Sequence, residues 1–151
     1  GYLKKMGKGR NQEHVWVVNR DSAYKNKYFD CIIDVFSSSC LNAKDGNQFL
    51  IEMSRTLKKG GTFFSYFPSK NSKMFKSKNK KMIDRDTIFN LRNKRNAYRI
   101  NNCPFRFLSK KQYMTILKKN SLKVFYSEEI KKTYFNGKEN FNFIVIEGRK
   151  I

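Results

Sequence analysis

The sequence predicts an α/β domain: a mostly parallel sheet with helices on both of its faces and an antiparallel hairpin at the C-terminal end. Short apolar runs alternate with segments of helical periodicity, which is typical of parallel strands joined by crossover helices. A Gly-Gly pair separates one such helix from the next apolar run, and an Asn-Gly pair separates the last two runs. The 151 residues, of which 39% are hydrophobic, are enough for one domain covering 1–151.

The first two strands are predicted at 14–18 and 31–36. HVWVV is β-branched and aromatic and ends at turn-forming residues near Asp21. CIIDVF is apolar except for Asp34 and has the length of a strand buried on both faces, with Cys31 inside. A lone buried carboxylate is costly unless it is paired or lies at a wet cleft, so we expect Asp34 at a cleft.

A helix and a third strand follow. Asp45 and Gln48 have the spacing of a capping box, and apolar residues then recur at helical intervals as far as Gly60. The glycine pair that starts there supplies the left-handed conformation that ends a helix. TFFSYF at 62–67 begins the next buried strand, and Pro68 ends it.

The segment 69–104 is polar and basic, and we interpret it as an insertion or a lid on the substrate side. One helix is predicted within it, in RDTIFNLRNK at 85–94. Regular order returns at Ser109 and Gln112, which form a second capping box. The helix that they begin is expected to end at Asn120.

The C-terminal part reads as two strands, at 122–128 and 141–147, joined through the hairpin signal Asn136-Gly137. We expect these strands to share one sheet with the earlier strands at 31–36 and 62–67. The two earlier strands should be parallel neighbours or near neighbours, and the last strand should be antiparallel.

Charge is the strongest feature of the composition. There are 33 Lys and Arg against 12 Asp and Glu, so the formal net charge is +21 and the pI is near 10.1. Such a field attracts polyanions. The lysines are nevertheless scattered through every loop together with many Asn, Ile, Phe and Tyr, as biased coding sequence would produce. Nucleic acid is therefore an alternative partner and not the favoured one.

Other classes of protein are disfavoured. No run approaches the roughly 20 apolar residues that a membrane-spanning helix needs, and the start lacks the apolar centre of a signal peptide. We expect a soluble, cytoplasmic protein without a membrane partner. The cysteines Cys31, Cys40 and Cys103 are widely spaced and accompanied by one histidine, His14, so they are interpreted as reduced, packed thiols and no metal site is predicted.

Three blocks of the chain resemble the class I S-adenosylmethionine-dependent methyltransferases. They are RDSAYKNKYFDCIID, IEMSRTLKKGG and CPFRFLSKKQYMTILKKNSLKVF, in the family's order, and the match runs from about Val15 to Lys150. The resemblance implies a Rossmann-like sheet, S-adenosylmethionine as the cofactor, and transfer of a methyl group to a nucleophile.

The resemblance also implies roles for particular residues. Asp21 matches the acidic position that usually contacts the adenine amino group, with Ser22 beside it; a solvated turn aspartate is the alternative. Asp34, Val35 and Phe36 match the end of the family's fourth strand, which lines the methionine part of the cofactor. No catalytic residue is assigned.

The chain departs from the family at its start. The glycine-rich loop after the family's first strand and the acidic residue that ends its second strand have no counterpart here, and GKGR at 7–10 follows no apolar strand. We therefore expect a domain that is incomplete at the N-terminus, the C-terminal portion of a longer enzyme, which by itself binds the cofactor weakly or not at all and tends to associate. A chain that has lost cofactor binding is the alternative.

The methyl acceptor is expected to be a small molecule that can be anionic. The family's fourth strand is followed here by no N-P-P-Y-like motif, which disfavours methylation of a base or glutamine amide. Tyr98, Arg99 and Arg106 in and beside the basic insertion are candidates to grip an anionic or phosphorylated substrate, or else are ordinary surface residues. The rival interpretations are a basic nucleic-acid-binding protein and an RNA methyltransferase.

Overall fold

The computed structural model of the chain describes residues 24–78, 80–90 and 103–151. The strand predicted at 14–18 lies outside the described residues. Among the described helices, none is both long enough and apolar enough to cross a membrane. The elements in chain order are β1 (Phe29–Val35), a 3-10 turn (Ser38–Cys40), α1 (Ala43–Thr56), β2 (Leu57–Pro68), α2 (Lys73–Lys76), β3 (Lys81–Met82), β4 (Thr87–Asn90), β5 (Cys103–Arg106), α3 (Lys110–Lys119), β6 (Leu122–Tyr134) and β7 (Glu139–Lys150).

Four strands form the main sheet, in the order β1-β2-β7-β6. β1 and β2 are parallel, with Ile33 opposite Phe64 and Asp34 opposite Ser65. β7 is antiparallel to both of its neighbours, so β1, β2 and β6 run in one direction and β7 runs in the other. The predicted α/β class is confirmed, with all four segments in one mostly parallel sheet that ends in an antiparallel hairpin.

β1 is buried on one side only. Ile32 and Asp34 are each 1% exposed, whereas Ile33 and Val35 are 63% and 47% exposed. The prediction that Cys31 is buried is wrong, because alternate residues of a strand face opposite sides and Cys31 shares the exposed side with Ile33 and Val35. A strand buried on both faces is likewise not what the structure has here.

The main core explains why one side of β1 is covered. Helices α1 and α3 both pack on the side that carries Ile32, and the burial of each large apolar side chain there contributes about 1.5–3 kcal/mol. The helices and strands that meet in this core contribute Phe49, Leu50 and Met53 from α1, Tyr113 and Leu117 from α3, and Ile32, Phe63, Phe67, Ile144 and Ile146 from the sheet.

α1 begins and ends earlier than the sequence pattern indicates. Its N-cap is Asn42, whose side-chain oxygen accepts the Asp45 N–H at 2.9 Å, so the capping box predicted to start at Asp45 is wrong. The helix stops before Leu57 and not at Gly60. Leu57 is already extended and paired with β1 because its side chain is fully buried in the core. Gly60, with a φ of 77°, instead forms a bend inside β2.

Two local predictions in the C-terminal part are confirmed. The Ser109 Oγ accepts the Gln112 N–H at 3.2 Å, and the Gln112 Oε1 accepts the Ser109 N–H at 3.0 Å, so both halves of the second capping box are present. The turn at 135–138 joins β6 to β7. Asn136 and Gly137 both have the positive φ that the hairpin signal predicts, 55° and 82°.

The middle segment contains a small antiparallel sheet in the order β3-β4-β5. The helix predicted at 85–94 is wrong where the structure describes it, because Thr87–Asn90 forms β4. Ile88 lies opposite Phe105, and the two are 2% and 0% exposed. The burial of this pair across two strands outweighs the helical spacing of the apolar residues in 85–94. The pair belongs to a second apolar cluster, with Phe107, Phe141 and Phe143.

Candidate functional site

The parallel strands β1 and β2 end side by side at one edge of the main sheet. β6 runs in the same direction and also ends there, while β7 begins there. We call this side of the sheet the carboxyl edge. Open α/β sheets bind ligands at the carboxyl ends of their parallel strands. The segments that follow β1 and β2, residues 36–40 and 69–72, therefore form the candidate site.

Asp34 anchors the loop that follows β1. Its carboxylate accepts the N–H groups of Ser37 at 3.2 Å and Ser38 at 3.1 Å, and the Ser38 hydroxyl donates to it as well. Burial raises the pKa of Asp34, although the hydrogen bonds from Ser38 and Ser37 act in the opposite direction. These hydrogen bonds compensate the burial of the carboxylate. Asp34 is turned inward and does not face an open cleft, where the sequence led us to expect it.

Buried polar residues continue from Asp34 toward α3. Ser65, opposite Asp34 on β2, shares a hydrogen bond of 2.7 Å with the hydroxyl of Tyr113, and both residues are 0% exposed. Burial raises the pKa of Tyr113 above its ordinary value, and the Asp34 carboxylate raises it further. The phenol therefore stays neutral, and its part here is to fix α3 against the ends of β1 and β2.

Phe36 adopts a conformation that is uncommon for a bulky residue. Its φ is 62°, in the left-handed region, which costs roughly 1–2 kcal/mol for an L-residue. Packing offsets this strain, since its ring lies 5.3 Å from that of Tyr66 and 5.5 Å from that of Phe143. Its carbonyl accepts hydrogen bonds from the Ser39 Oγ at 3.1 Å and the Cys40 Sγ at 3.2 Å. The loop is thus held in one shape from both sides.

The accessible part of the predicted cofactor segment is short. Val35 is 47% exposed, Ser37 is exposed, and Phe36 between them is half-buried. These residues stand on the side of the sheet opposite to α1 and α3. The structure thus brings Asp34, Val35 and Phe36 together at the carboxyl edge, as predicted from their sequence positions, but only Val35 and Phe36 present surface to a ligand.

The thiols beside this loop are held protonated. Burial raises the pKa of Cys40 to about 11, and the neighbouring Cys103 adds to the shift. Burial raises the pKa of Cys103 as well. A cysteine attacks as its thiolate, so neither residue is set up as a nucleophile at neutral pH. The three cysteines of the chain are all free, but the prediction that they are packed fails for Cys31, which is exposed.

Arg106 is 3% exposed and lies inside the protein. Its Nη2 donates to the Asn47 Oδ1 at 3.0 Å, and a Cβ added at Gly46 would come within 2.7 Å of its Nη1, so the guanidinium packs on the first turn of α1. Burial lowers the pKa of Arg106, while the carboxylates of Asp86 and Asp84 oppose the shift. In this structure Arg106 joins the small sheet to α1, and its contact with a substrate stays a prediction.

Four further predicted site residues lie outside the described residues. They are Asp21 and Ser22 on the adenine side and Tyr98 and Arg99 on the substrate side. Their roles stay predictions, and so does the full extent of the insertion at 69–104, because residues 91–102 are not among those described.

A second accessible feature lies at the same carboxyl edge, between the loop after β2 and the end of β6. It is a cavity of about 470 Å³, which we call the basic cleft. Three lysines and three asparagines line it, namely Lys73, Lys76, Lys131, Asn71, Asn140 and Asn142.

Sequence reasoning did not find the partners of Asp34 or the basic cleft. A signal for Ser38 exists, since serine three or four residues after an aspartate is a common partner in local side-chain to backbone turns. Ser65 and Tyr113 carry no such signal, because only the strand register and the docking of α3 bring them to Asp34. The cleft is also assembled from segments that are far apart in the chain.

No protein-family model matches the chain, and no curated protein matches it by sequence. Solved structures do match it. A SAM-dependent methyltransferase from Methanosarcina mazei superposes with a TM-score of 0.70, covering 96% of this chain and 73% of its own, at 15% identity. The fold is that of the class I S-adenosylmethionine-dependent methyltransferases. The Rossmann-like architecture that the three sequence blocks predicted is confirmed.

Two other structures with the methyltransferase fold show how far the likeness extends. A SAM-dependent methyltransferase from Thermotoga maritima, described as a possible histamine N-methyltransferase, gives a TM-score of 0.57 at 20% identity over 89% of this chain and 61% of its own. The 1,6-didemethyltoxoflavin-N1-methyltransferase of Burkholderia thailandensis, solved with bound 1,6-didemethyltoxoflavin and S-adenosylhomocysteine, gives a TM-score of 0.55 at 13% identity over 83% of this chain and 45% of its own. The chain thus spans between 45% and 73% of the length of these three proteins.

Proposed function

We propose that the chain acts as an S-adenosylmethionine-dependent methyltransferase on a small molecule, which can be anionic. The observation that supports this is the order β1-β2-β7-β6 with β7 reversed, together with the match of 96% of the chain to a methyltransferase structure. A fold hosts many functions, so the proposal also needs a site that suits the cofactor.

The residues at the end of β1 suit the methionine part of the cofactor. Val35 offers an apolar, half-exposed surface at the carboxyl edge, and the backbone of Phe36 and Ser37 lies beside it. Asp34 acts indirectly, because its hydrogen bonds to Ser37 and Ser38 hold this backbone in place. Asp21 and Ser22 are proposed for the adenine side on the strength of the sequence resemblance alone.

The proposed reaction does not depend on a protein acid or base. S-adenosylmethionine, when bound, supplies a methyl group on a positively charged sulfur, which a nucleophile displaces in line. Positioning the acceptor and excluding water can supply most of the rate of such a displacement. The rigid loop after β1 and the packed ring of Phe36 suit this positioning role, and no residue is assigned as a base.

An NMR titration of the ¹⁵N-labelled chain with S-adenosylmethionine tests the proposal and remains informative when binding is weak. The backbone amides of residues 35–39 should shift in a saturable manner, while those of 57–61 at the opposite edge should not. Val35→Glu should abolish the response, because a carboxylate would occupy the apolar surface at the edge.

The matched control is Ile33→Glu, the same change on the same exposed side of β1 but one pleat further from the carboxyl edge. It should preserve the titration. The absence of any saturable shift at millimolar cofactor, or shifts that are confined to other regions and unaffected by Val35→Glu, would contradict the proposed cofactor site.

A further inference from the structure

The basic cleft lies beyond the proposed cofactor segment on the same edge of the sheet. Two strand spacings separate β1 from β7 and three separate it from β6. Since neighbouring strands are about 4.8 Å apart, the cleft begins about 10–15 Å along the edge from the end of β1. It is therefore a separate feature, close enough to serve the same ligand-binding edge.

The wall of the basic cleft is built into the fold. The loop after β2 is fixed to β7 at Asn142: the Ser69 N–H donates to the Asn142 carbonyl at 2.8 Å, the Ser72 hydroxyl donates to the same carbonyl at 2.9 Å, and the Asn142 N–H donates back to the Ser72 hydroxyl at 3.0 Å. Ser69 and Ser72 are both 0% exposed. A ligand would meet a wall that is already ordered, which lowers the entropic cost of binding.

Within the described part of the chain, the lysines of the basic cleft are not neutralised by carboxylates. Lys73, Lys76 and Lys131 are all exposed, and among the described residues none of them has a carboxylate partner within salt-bridge distance. One carboxylate, that of Glu129, contacts the wall, where it accepts a hydrogen bond from the Asn71 Nδ2 at 2.9 Å. Among the described residues, three ammonium groups and one carboxylate, which already accepts a hydrogen bond from Asn71, leave the cleft positively charged.

We propose that the basic cleft binds the phosphate group of a phosphorylated small molecule, with the asparagine side chains taking its hydroxyl groups. Lysine ammonium groups bind phosphate as mobile point charges, and amides can both donate to and accept from a hydroxyl. A cavity of about 470 Å³ has room for more than a phosphate ion. Phosphate binding by the basic cleft does not depend on the methyltransferase proposal. The further step, that the phosphorylated molecule is also the methyl acceptor, rests on that proposal.

Calorimetric titration of the full chain with inorganic phosphate and with ribose 5-phosphate tests the proposal. Ribose 5-phosphate should bind more tightly than inorganic phosphate, since it also reaches the amides. Replacing Lys73, Lys76 and Lys131 together by Gln should weaken both by about tenfold or more, in line with the loss of charge-assisted contacts. The matched control replaces Lys59, Lys118 and Lys123 by Gln, the same loss of charge at the opposite edge, and should change the affinity less than about twofold.

Each result decides the matter. The proposal is overturned if neither probe shows saturable binding. It is also overturned if the two triple variants lose affinity equally, because the net charge of the chain would then account for the binding. Titration with a 12-nucleotide single strand distinguishes a small molecule from nucleic acid as the source of the phosphate. If the parent chain binds the strand more tightly than ribose 5-phosphate, and only the cleft variant loses this binding, the ligand is nucleic acid. If both variants bind the strand equally, the ligand is the small molecule. A parallel titration with S-adenosylhomocysteine reports on the methyltransferase proposal separately.

Discussion

The two ends of the carboxyl edge use polar groups in opposite ways. At the β1–β2 end, Asp34, Tyr113 and Arg106 are at most 3% exposed and bond to other protein groups. At the β6–β7 end, the lysines of the basic cleft are exposed and have no carboxylate partner among the described residues. Buried polar groups that hydrogen-bond to other elements fix a shape, although the Nε of Arg106 has no hydrogen-bond partner among the described residues. Exposed charges without a carboxylate partner contribute little to stability and remain available to a ligand. The buried polar groups of the first end should therefore govern folding, and the exposed lysines of the second should govern the binding of a charged ligand.

Asp34→Ala should have the largest effect on stability. It leaves the N–H groups of Ser37 and Ser38 and the Ser38 hydroxyl without their acceptor, and Ser38 is buried. We expect this loss to lower the free energy of unfolding by about 3 kcal/mol. Urea denaturation of the variant and the parent chain measures the change.

The control for this variant is Asp30→Ala. Asp30 is also on β1 and pairs with Lys58 at 2.7 Å, but its side chain is 83% exposed. Exposed ion pairs contribute between about 0 and 1 kcal/mol, so the control should lose far less. Equal losses in the two variants would show that Asp34 is not the anchor described above.

Asp34→Asn should lose less than the alanine variant and should reveal the sign of the charge effect. The pKa of Asp34 is raised in the folded state above 3.8, so the folded protein holds this proton more tightly than the unfolded chain. That contribution is complete below pH 3.8 and is lost as the pH rises through the folded-state pKa. The parent chain should therefore gain stability relative to Asp34→Asn as the pH falls from 7 toward 4. A stability difference that is independent of pH, or that grows in the other direction, would show that the buried carboxylate is not destabilised by desolvation.

Tyr113→Phe should cost about 1 kcal/mol, the usual net value of one buried hydrogen bond. The ring stays in the core, and only the bond between the hydroxyl and Ser65 is lost. Tyr126→Phe is the matched control, because its hydroxyl bonds to Glu128 at the surface, and it should have no measurable effect on the urea midpoint. A Tyr113→Phe variant with the urea midpoint of the parent chain would mean that the bond to Ser65 does not help to hold α3 against the sheet.

The strands that share the main sheet, and their directions, could be predicted from the sequence because each strand carries its own local signal. The apolar run at 31–36, the glycine pair before 62–67 and the Asn136-Gly137 turn all act within a few residues, and the sheet follows from them by the rules of chain connection. The same local reasoning was wrong for Cys31. Its exposure depends on both helices docking on the other side of β1, and no residue near it carries that information.

The candidate site was less predictable than the fold for a related reason. Val35 and Phe36 were proposed because they match the end of the family's fourth strand, and a strand end is a local feature. Asp34 matches the same strand and also stood out as a carboxylate in an apolar run. The inward turn of Asp34 and the burial of Arg106 depend on partners contributed by other elements, such as Ser65 and Asn47. The lysines of the cleft are indistinguishable in sequence from the many others in a chain with a net charge of +21.

The smallest expected effect completes the comparison. Replacing Lys73, Lys76 and Lys131 by Gln removes three positive charges from a chain that already carries +21, so it relieves repulsion while breaking no ion pair among the described residues. The free energy of unfolding should stay within about 0.5 kcal/mol of the parent value and should rise slightly at low salt. Urea denaturation at about 0.02 M and about 0.5 M salt tests both points, since screening should erase the rise at the higher concentration. A loss of stability above about 1 kcal/mol at either salt concentration would mean that these lysines hold the fold together, as Asp34 does, and the distinction between the two ends of the edge would not stand.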